Sequence, residues 1–300
     1  MLARRQTPLV VLFCLLAMFT LGVAPASSPA DAPRKPELNQ QALDKLGWTL
    51  GCQAWTFREM TLSETLDTLN GLGIRYVEIY PGQPFSPENK AKFDHNAPPE
   101  LVEQFLAKCK SANVTPVNYG VVALSKDEAT SRKVFDFAKR LGLQTIVSEP
   151  PKDAFDTIDK LAGEYQINVA VHDHPKPSTY WNPETVLEVT KDRSPRVGAC
   201  ADVGHWYRSG LTPVDCLKQL QGRIISLHFK DIDRPERRGE DVPWGTGKCD
   251  VPAMLAEIKR QNIHPVFSIE YETGKGPELR ENVAKCIEYF SQQATKLAEK

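Results

Sequence analysis

Short apolar runs alternate with longer amphipathic stretches about eight times between residue 45 and the end of the chain. We predict strands at residues 49–54, 76–80, 115–119, 144–148, 168–172, 197–202, 224–229 and 266–270. We predict helices at residues 62–72, 99–112, 127–141, 155–165, 183–190, 213–220, 251–261 and 278–297. Alternating strands and helices form a parallel sheet, and eight such units predict a closed (β/α)8 TIM barrel of the α/β class. An open doubly wound sheet is the alternative, but no Gly-rich dinucleotide loop follows the first strand.

The first 26 residues have a different pattern. Arg4 and Arg5 precede an apolar run over residues 9–23, and Ala24-Pro25-Ala26 follows it. This order of basic, apolar and small residues is typical of a secretory signal peptide, so we predict cleavage after Ala26 and export to the periplasm or beyond. The paired arginines weakly indicate the twin-arginine route. The apolar run is too short for a stable membrane anchor, although a retained N-terminal anchor is the alternative.

Composition favours one globular domain with a small partner. Residues 27–44 are Pro-rich and polar, which predicts a linker, and residues 45–300 are assigned to the single barrel domain. A formal net charge of -1 without a dense basic patch argues against a nucleic-acid partner. Apart from Cys14 in the apolar run, the cysteines are widely and irregularly spaced, so most are expected to be buried apolar residues.

Charged side chains close most of the predicted strands. They are Glu78, Glu149, His172, Asp202, His228, Lys230 and Glu270. In a barrel of this kind the carboxyl ends of the strands meet at one mouth, where active sites lie. A buried carboxylate or imidazole costs several kcal/mol unless it is paired, so this convergence predicts one bound divalent cation. Mixed oxygen and nitrogen ligands favour Mn²⁺ or Mg²⁺, with Co²⁺ or Zn²⁺ as alternatives.

Two motifs resemble those of the xylose-isomerase-like TIM barrels, the family of sugar phosphate isomerases and epimerases that also includes endonuclease IV. Asp202-Val203-Gly204-His205-Trp206 resembles the family's D-x-x-H, and Leu227-His228-Phe229-Lys230-Asp231 resembles its L-H-x-K-D. Ser268-Ile269-Glu270 resembles the last-strand glutamate, and Trp244-Gly245-Thr246-Gly247 with Asp250 resembles the loop before the last strand. The resemblance covers essentially the whole barrel domain. It implies a metal held by Glu, Asp, His and Glu from the fifth to eighth strands, with the two glutamates moving the proton.

The chain departs from the family pattern at the fifth strand. Where the family has Glu-Asn-His, this chain has His172-Asp173-His174. The first ligand position therefore carries an imidazole, and Glu149 at the end of the fourth strand is a second candidate for it. Both remain candidate ligands beside Asp202, His228 and Glu270.

The resemblance implies an isomerase or epimerase that acts on a sugar or keto-sugar through an enediolate-like intermediate. We expect Glu270 to be the general base, with Glu149 or His172 acting from the other face. Substrate contacts are expected from Glu78, His174, His205, Lys230, Trp55 and Trp206, since flat aromatic faces stack on sugar rings.

Three other functions compete with this prediction. A lyase or hydratase acting on 3-keto-glycosides would share the intermediate, and a non-catalytic carbohydrate-binding barrel would share the fold. DNA repair is disfavoured by the predicted export and the lack of a basic surface. A homodimer is expected only by analogy with other barrels.

Overall fold

Eight parallel strands close into a barrel in the computed structural model, which describes residues 35–300. The strands are β1 (Thr49–Gln53), β2 (Tyr76–Ile79), β3 (Gln83–Pro84), β4 (Lys92–Phe93), β5 (Thr115–Tyr119), β6 (Thr145–Ser148), β7 (Asn168–His172), β8 (Val197–Asp202), β9 (Ile224–Phe229) and β10 (Val266–Ile269). β3 and β4 form a separate antiparallel ribbon, and the other strands form the barrel, in which β1 pairs with both β2 and β10. The prediction of a (β/α)8 barrel is confirmed. The predicted signal peptide and twin-arginine pair lie outside the described residues.

Helices surround the barrel between consecutive strands. They are α1 (Gln40–Leu46), α2 (Leu62–Leu72), α3 (Pro99–Ala112), α4 (Glu128–Arg140), α5 (Phe155–Tyr165), α6 (Pro183–Thr190), α7 (Val203–Arg208), α8 (Pro213–Gln219), α9 (Val251–Arg260) and α10 (Gly276–Glu299). The local sequence sets where the helices begin: Thr61 and Glu64 form a capping box at α2, and five helices carry proline in the first turn. In the part of the chain that the structure describes, no helix is long and apolar enough to span a membrane.

Helix α1 corrects the predicted linker, which was expected to extend to residue 44. Asn39 caps this helix, and Ala42 and Leu43 on its inner face are buried. The backbone N–H of Asn39 also donates to Ser291 Oγ of α10 at 2.8 Å. The short helix was missed because its few apolar residues follow a proline-rich stretch, and its burial depends on α10 from the other end of the chain.

The strand register brings the functional ends of four strands to the same level. Asp202 at the end of β8 is paired with His228 of β9, and His228 is paired with Ser268 of β10. On the other side, His172 of β7 is paired with Cys200 of β8. Because the strands are parallel, the residues that end them point into one mouth of the barrel. All six cysteines from Cys52 onward are free and buried, as expected.

A glycine inside β8 tests how tightly the barrel wall is packed. A Cβ atom at Gly198 would lie 2.2 Å from the backbone oxygen of Arg223, whereas a Cβ at Gly163 in α5 meets nothing within 4 Å. We expect Gly198→Ala to lower the free energy of unfolding by about 2 kcal/mol or more, because the backbone cannot yield as a flexible side chain would. The matched change Gly163→Ala should raise it slightly, by at most about 1 kcal/mol. Urea unfolding of both variants checks this, and equal midpoints would contradict it.

Candidate functional site

Four buried side chains converge at the mouth of the barrel. His172, Asp202, His228 and Glu270 each offer one ligand atom, and these atoms all lie within 4.8 Å of one another. Nε2 of His172 is 3.1 Å from Nδ1 of His228, which is 3.0 Å from Oε2 of Glu270. Oδ2 of Asp202 lies 3.5 Å from Nε2 of His172. We call these residues the four-residue cluster; they come from the ends of β7, β8 and β9 and the residue after β10.

Glu78 supports the cluster from inside the barrel. Its Oε1 is 2.7 Å from Nε2 of His228, which leaves Nδ1 of that imidazole facing the cluster. The Glu78 carboxylate also accepts hydrogen bonds from Gln53, Asn118 and Ser268, and it has no exposed surface. The expectation that Glu78 binds a sugar is therefore corrected. This residue orients His228, as carboxylates commonly do for metal-binding histidines.

Glu149 orients His172, as Glu78 orients His228. Its Oε1 is 3.0 Å from Nδ1 of His172, so Nε2 of that ring faces the cluster, and the same oxygen also contacts Nδ1 of His174. Burial raises the pKa of Glu149, but the hydrogen bonds with both histidines outweigh it and lower the pKa to about 2. His172 thus belongs to the four-residue cluster, and Glu149 forms a second group with His172 and His174 whose ligand atoms also lie within 4.8 Å of one another. The two residues between which the sequence could not decide are therefore in direct contact: His172 lies in the cluster, and Glu149 contacts its outer nitrogen.

Lys230 is fully buried between two carboxylates of the cluster. Its Nζ bonds both Asp202 and Glu270, and Glu272 Oε2 lies 3.9 Å away. Burial lowers the pKa of Lys230, and the neighbouring carboxylates more than offset this and raise it above the ordinary value. Gly204 makes room for this side chain, because a Cβ there would lie 2.7 Å from Cβ and Cδ of Lys230. The expectation that Lys230 contacts a sugar is corrected: it neutralises the cluster.

The donor set fits a divalent metal ion. Two imidazole nitrogens and two carboxylates in a buried site are ligands that Mn²⁺, Co²⁺ and Zn²⁺ accept, and each imidazole has its outer nitrogen fixed by a carboxylate. The carboxylates also attract protons: burial lowers the pKa of His172, but hydrogen bonds with Asp202 and Glu149 raise it to about 10. A metal must displace such protons in order to bind.

A pocket of about 300 Å³ lies over the cluster. It is lined by Gln53, Trp55, Tyr80, Pro81, Gly120, Val121, His172, His174, His205, Glu270 and Glu272. Of the predicted substrate contacts, His174, His205 and Trp55 line this pocket. Trp206 does not line the pocket and has no exposed surface, so the expectation that it contacts a sugar is corrected. It lies on the buried side of helix α7, where a loop was expected.

Arg208 determines which nitrogen of His205 carries the proton. Its Nη1 is 3.2 Å from Nδ1 of His205, and a guanidinium has donors only. Nδ1 therefore accepts, and the proton is on Nε2. Arg208 is in turn held by Asp241 and Glu272, each at 2.7 Å. Burial is the main cause that holds the pKa of His205 well below its usual value, so this imidazole is neutral.

A loop beside the pocket is held by Asp231. This carboxylate accepts hydrogen bonds from the backbone N–H groups of Gly245, Gly247 and Cys249 at 2.8 to 3.0 Å. A Cβ at Gly247 would lie 2.2 Å from Oδ1 of Asp231, so only glycine fits there. The aspartate of the L-H-x-K-D motif thus explains the glycines of the loop before the last strand.

Sequence reasoning missed four residues of the site: Gln53, Tyr80, Arg208 and Glu272. Gln53 and Glu272 were detectable, since one closes the first strand and the other follows Glu270 by two positions. Arg208 lies three residues after His205, which is a helical spacing, but α7 was expected to be a loop. Tyr80 carried no signal beyond its place at a strand end.

The lowered pKa of Glu149 predicts a specific loss of stability in acid. A glutamate has an ordinary pKa of 4.5, and in the folded protein that of Glu149 is about 2. Its ionised form therefore stabilises the fold above pH 4.5, and this contribution is lost as the pH falls from 4.5 toward 2. We expect Glu149→Gln to lower the free energy of unfolding of the metal-free protein at pH 7 by about 1–3 kcal/mol, and by much less at pH 3. Urea unfolding at both pH values measures this; the exposed control Glu100→Gln should have little effect at either, and a pH-independent difference for Glu149→Gln would contradict the assignment.

Comparisons with known proteins agree with the fold and the motifs. The family model described as xylose isomerase-like TIM barrel matches residues 66–292. A putative uncharacterized protein from Parabacteroides distasonis ATCC 8503 is 32% identical, with a TM-score of 0.67 over 82% of this chain and 99% of its own. A D-tagatose 3-epimerase-like protein is 18% identical, with a TM-score of 0.64 over 84% of this chain and 98% of its own.

A further solved structure contains a metal ion. It is a xylose isomerase-like TIM barrel protein from Mycobacterium smegmatis in complex with magnesium, 13% identical, with a TM-score of 0.65 over 83% of this chain and 97% of its own. At such identities the last two likenesses concern the fold alone. No functionally curated protein matches the chain. The chain belongs to the xylose isomerase-like TIM barrel family.

Proposed function

We propose that the protein is a divalent-metal-dependent isomerase or epimerase that moves a proton next to the carbonyl of a sugar or keto-sugar. One observation carries the proposal. The four-residue cluster of His172, Asp202, His228 and Glu270 is buried directly beneath a pocket of the size of a small molecule. Each imidazole of the cluster is oriented by its own carboxylate, which is an arrangement typical of metal-binding histidines.

The four-residue cluster would hold the metal, with Mn²⁺ favoured by its mixed nitrogen and oxygen donors and Mg²⁺, Co²⁺ or Zn²⁺ as alternatives. When bound, such an ion polarises a carbonyl group and stabilises negative charge on its oxygen. Lys230 adds a fixed positive charge beside Asp202 and Glu270, so the site is not made strongly negative by its own ligands. A single cation is sufficient for this chemistry.

The residues around the pocket supply the proton transfers. Glu270 lines the pocket and is the first candidate base, as the sequence predicts. His174 is the second: Nδ1 bonds the ionised Glu149, so a neutral ring presents the unprotonated Nε2 to the pocket. His205 has the opposite polarity, because Arg208 leaves its proton on Nε2. It can donate a hydrogen bond to the oxygen that gains charge.

A lyase acting on a 3-keto-glycoside is the second candidate. His174 is half exposed and shares Glu149 with His172, so a protonated His174 has a carboxylate partner and an accessible Nε2–H. Such a group can protonate a departing β-oxygen, which elimination requires and epimerisation does not. Both reactions begin with loss of the same carbon-bound proton.

Metal analysis together with proton exchange tests the proposal. We expect the purified protein to bind about one divalent ion per chain and to exchange deuterium next to the carbonyl of a keto-sugar in D₂O. Asp202→Asn and His228→Asn should reduce metal content at least tenfold and exchange by about 10³-fold or more. His264→Ala, an exposed histidine just before β10 at the opposite end of the barrel, is the matched control and should change neither.

The products separate the two candidates. Exchange with formation of an isomer or epimer supports the first, and appearance of ultraviolet absorbance from a conjugated enone supports the lyase. Binding of no metal by wild type after resupply, together with no exchange, would contradict both and favour a carbohydrate-binding barrel.

A further inference from the structure

The pocket over the four-residue cluster has one exposed aromatic wall. Trp55 is 40% exposed, and it is the only exposed large hydrophobic side chain in residues 35–300. Its ring meets Tyr80 edge to face, with centroids 5.1 Å apart, and Arg58 lies over it at 5.5 Å. The backbone N–H of Trp55 donates to Gln53 Oε1 at 3.1 Å. The indole is thus fixed in place before any ligand arrives, although exposing it costs free energy.

The other lining side chains carry polar and negative groups. Glu270 and Glu272 contribute carboxylates, and His174 and His205 contribute imidazoles. Among the described residues, no lysine or arginine lines this pocket. A phosphate or carboxylate on a ligand would meet the carboxylates of Glu270 and Glu272 there, and no lysine or arginine of the lining would replace its hydration.

The nearby cations are already engaged. Lys230 is buried between Asp202 and Glu270, and Arg208 bonds Asp241 and Glu272. Arg58 lies against Trp55 outside the lining and donates to the backbone oxygen of Glu272 at 2.8 Å. A bound divalent ion would carry four positive charges together with Lys230 and Arg208, and the carboxylates of Asp202, Glu270, Asp241 and Glu272 carry four negative charges.

We propose that the pocket selects one neutral, unphosphorylated sugar ring, which stacks on Trp55 and is held by hydrogen bonds from the polar side of the pocket. The apolar face of a sugar ring suits an indole, and its hydroxyls suit the imidazoles of His174 and His205 and the carboxylate of Glu272. A volume of about 300 Å³ lies at the lower end of small-molecule pockets, which suits a single ring. This inference rests on the proposed function for the choice of sugars, but it concerns binding and needs no turnover.

Calorimetric titration of the Mn²⁺-supplemented protein with matched sugars tests the inference. The panel contains neutral hexoses, pentoses and methyl glycosides, each beside its phosphate ester and, for hexoses, its uronic acid. We expect at least one neutral member to bind, about tenfold or more tighter than its charged counterparts. Trp55→Ala should weaken that binding about tenfold and Trp55→Phe much less, because a flat ring is retained. Trp181→Ala, a tryptophan outside this pocket, is the matched control and should leave binding unchanged.

Each other outcome overturns the inference. Tighter binding of the phosphate ester or uronic acid would show that the pocket selects a charged ligand. Equal effects of Trp55→Ala and Trp181→Ala on binding would show that the ligand does not stack on Trp55. Binding of no panel member would show that the ligand is not a sugar. If neutral sugars bind as expected but show no proton exchange, the proposed function fails and this inference stands.

Discussion

The balance of charge at the barrel mouth is the constraint on which the rest of the site depends. Asp202 and Glu270 are buried carboxylates, and such groups cost several kcal/mol unless a cation neutralises them. Lys230 supplies one positive charge, and Gly204 is required for Lys230 to reach it. His172 and His228 complete a donor set that fits a divalent metal ion. Burial and charge thus explain the residue types at the ends of four successive strands.

A second group of carboxylates orients the two imidazoles of the four-residue cluster. Glu78 fixes His228 from inside the barrel, and Glu149 fixes His172 from the side. Arg208 acts likewise on His205, with the opposite polarity. The orientation of the two imidazoles and the position of the proton on His205 are therefore set by residues outside the pocket lining. The family pattern of two glutamates is replaced here by a histidine in the cluster with a glutamate behind it.

The barrel and most of its elements were predictable because strand and helix periodicities are local properties of the sequence. Four of the eight predicted helices and four of the eight predicted strands have the same bounds in the structure. Helix α1 was missed because its burial depends on contacts with α10. Helix α7 was missed because it follows β8 without a loop: Asp202 is both the last residue of the strand and the N-cap of the helix. The ligand types were predictable from strand ends. The depth of each side chain in the barrel mouth was not predictable from the sequence. Periodicity could not show that Glu78, Lys230 and Trp206 are buried outside the pocket lining, whereas Trp55 lines the pocket.

The central claim is that the four-residue cluster is a metal site, and anomalous X-ray diffraction from Mn²⁺-soaked crystals tests it most directly. We expect one strong anomalous peak within bonding distance of His172, Asp202, His228 and Glu270, with Glu149 and Glu78 still bonded to the outer nitrogens of the two imidazoles. The absence of an anomalous peak at the cluster, with Lys230 as the only cation between Asp202 and Glu270, would contradict the assignment of a metal site.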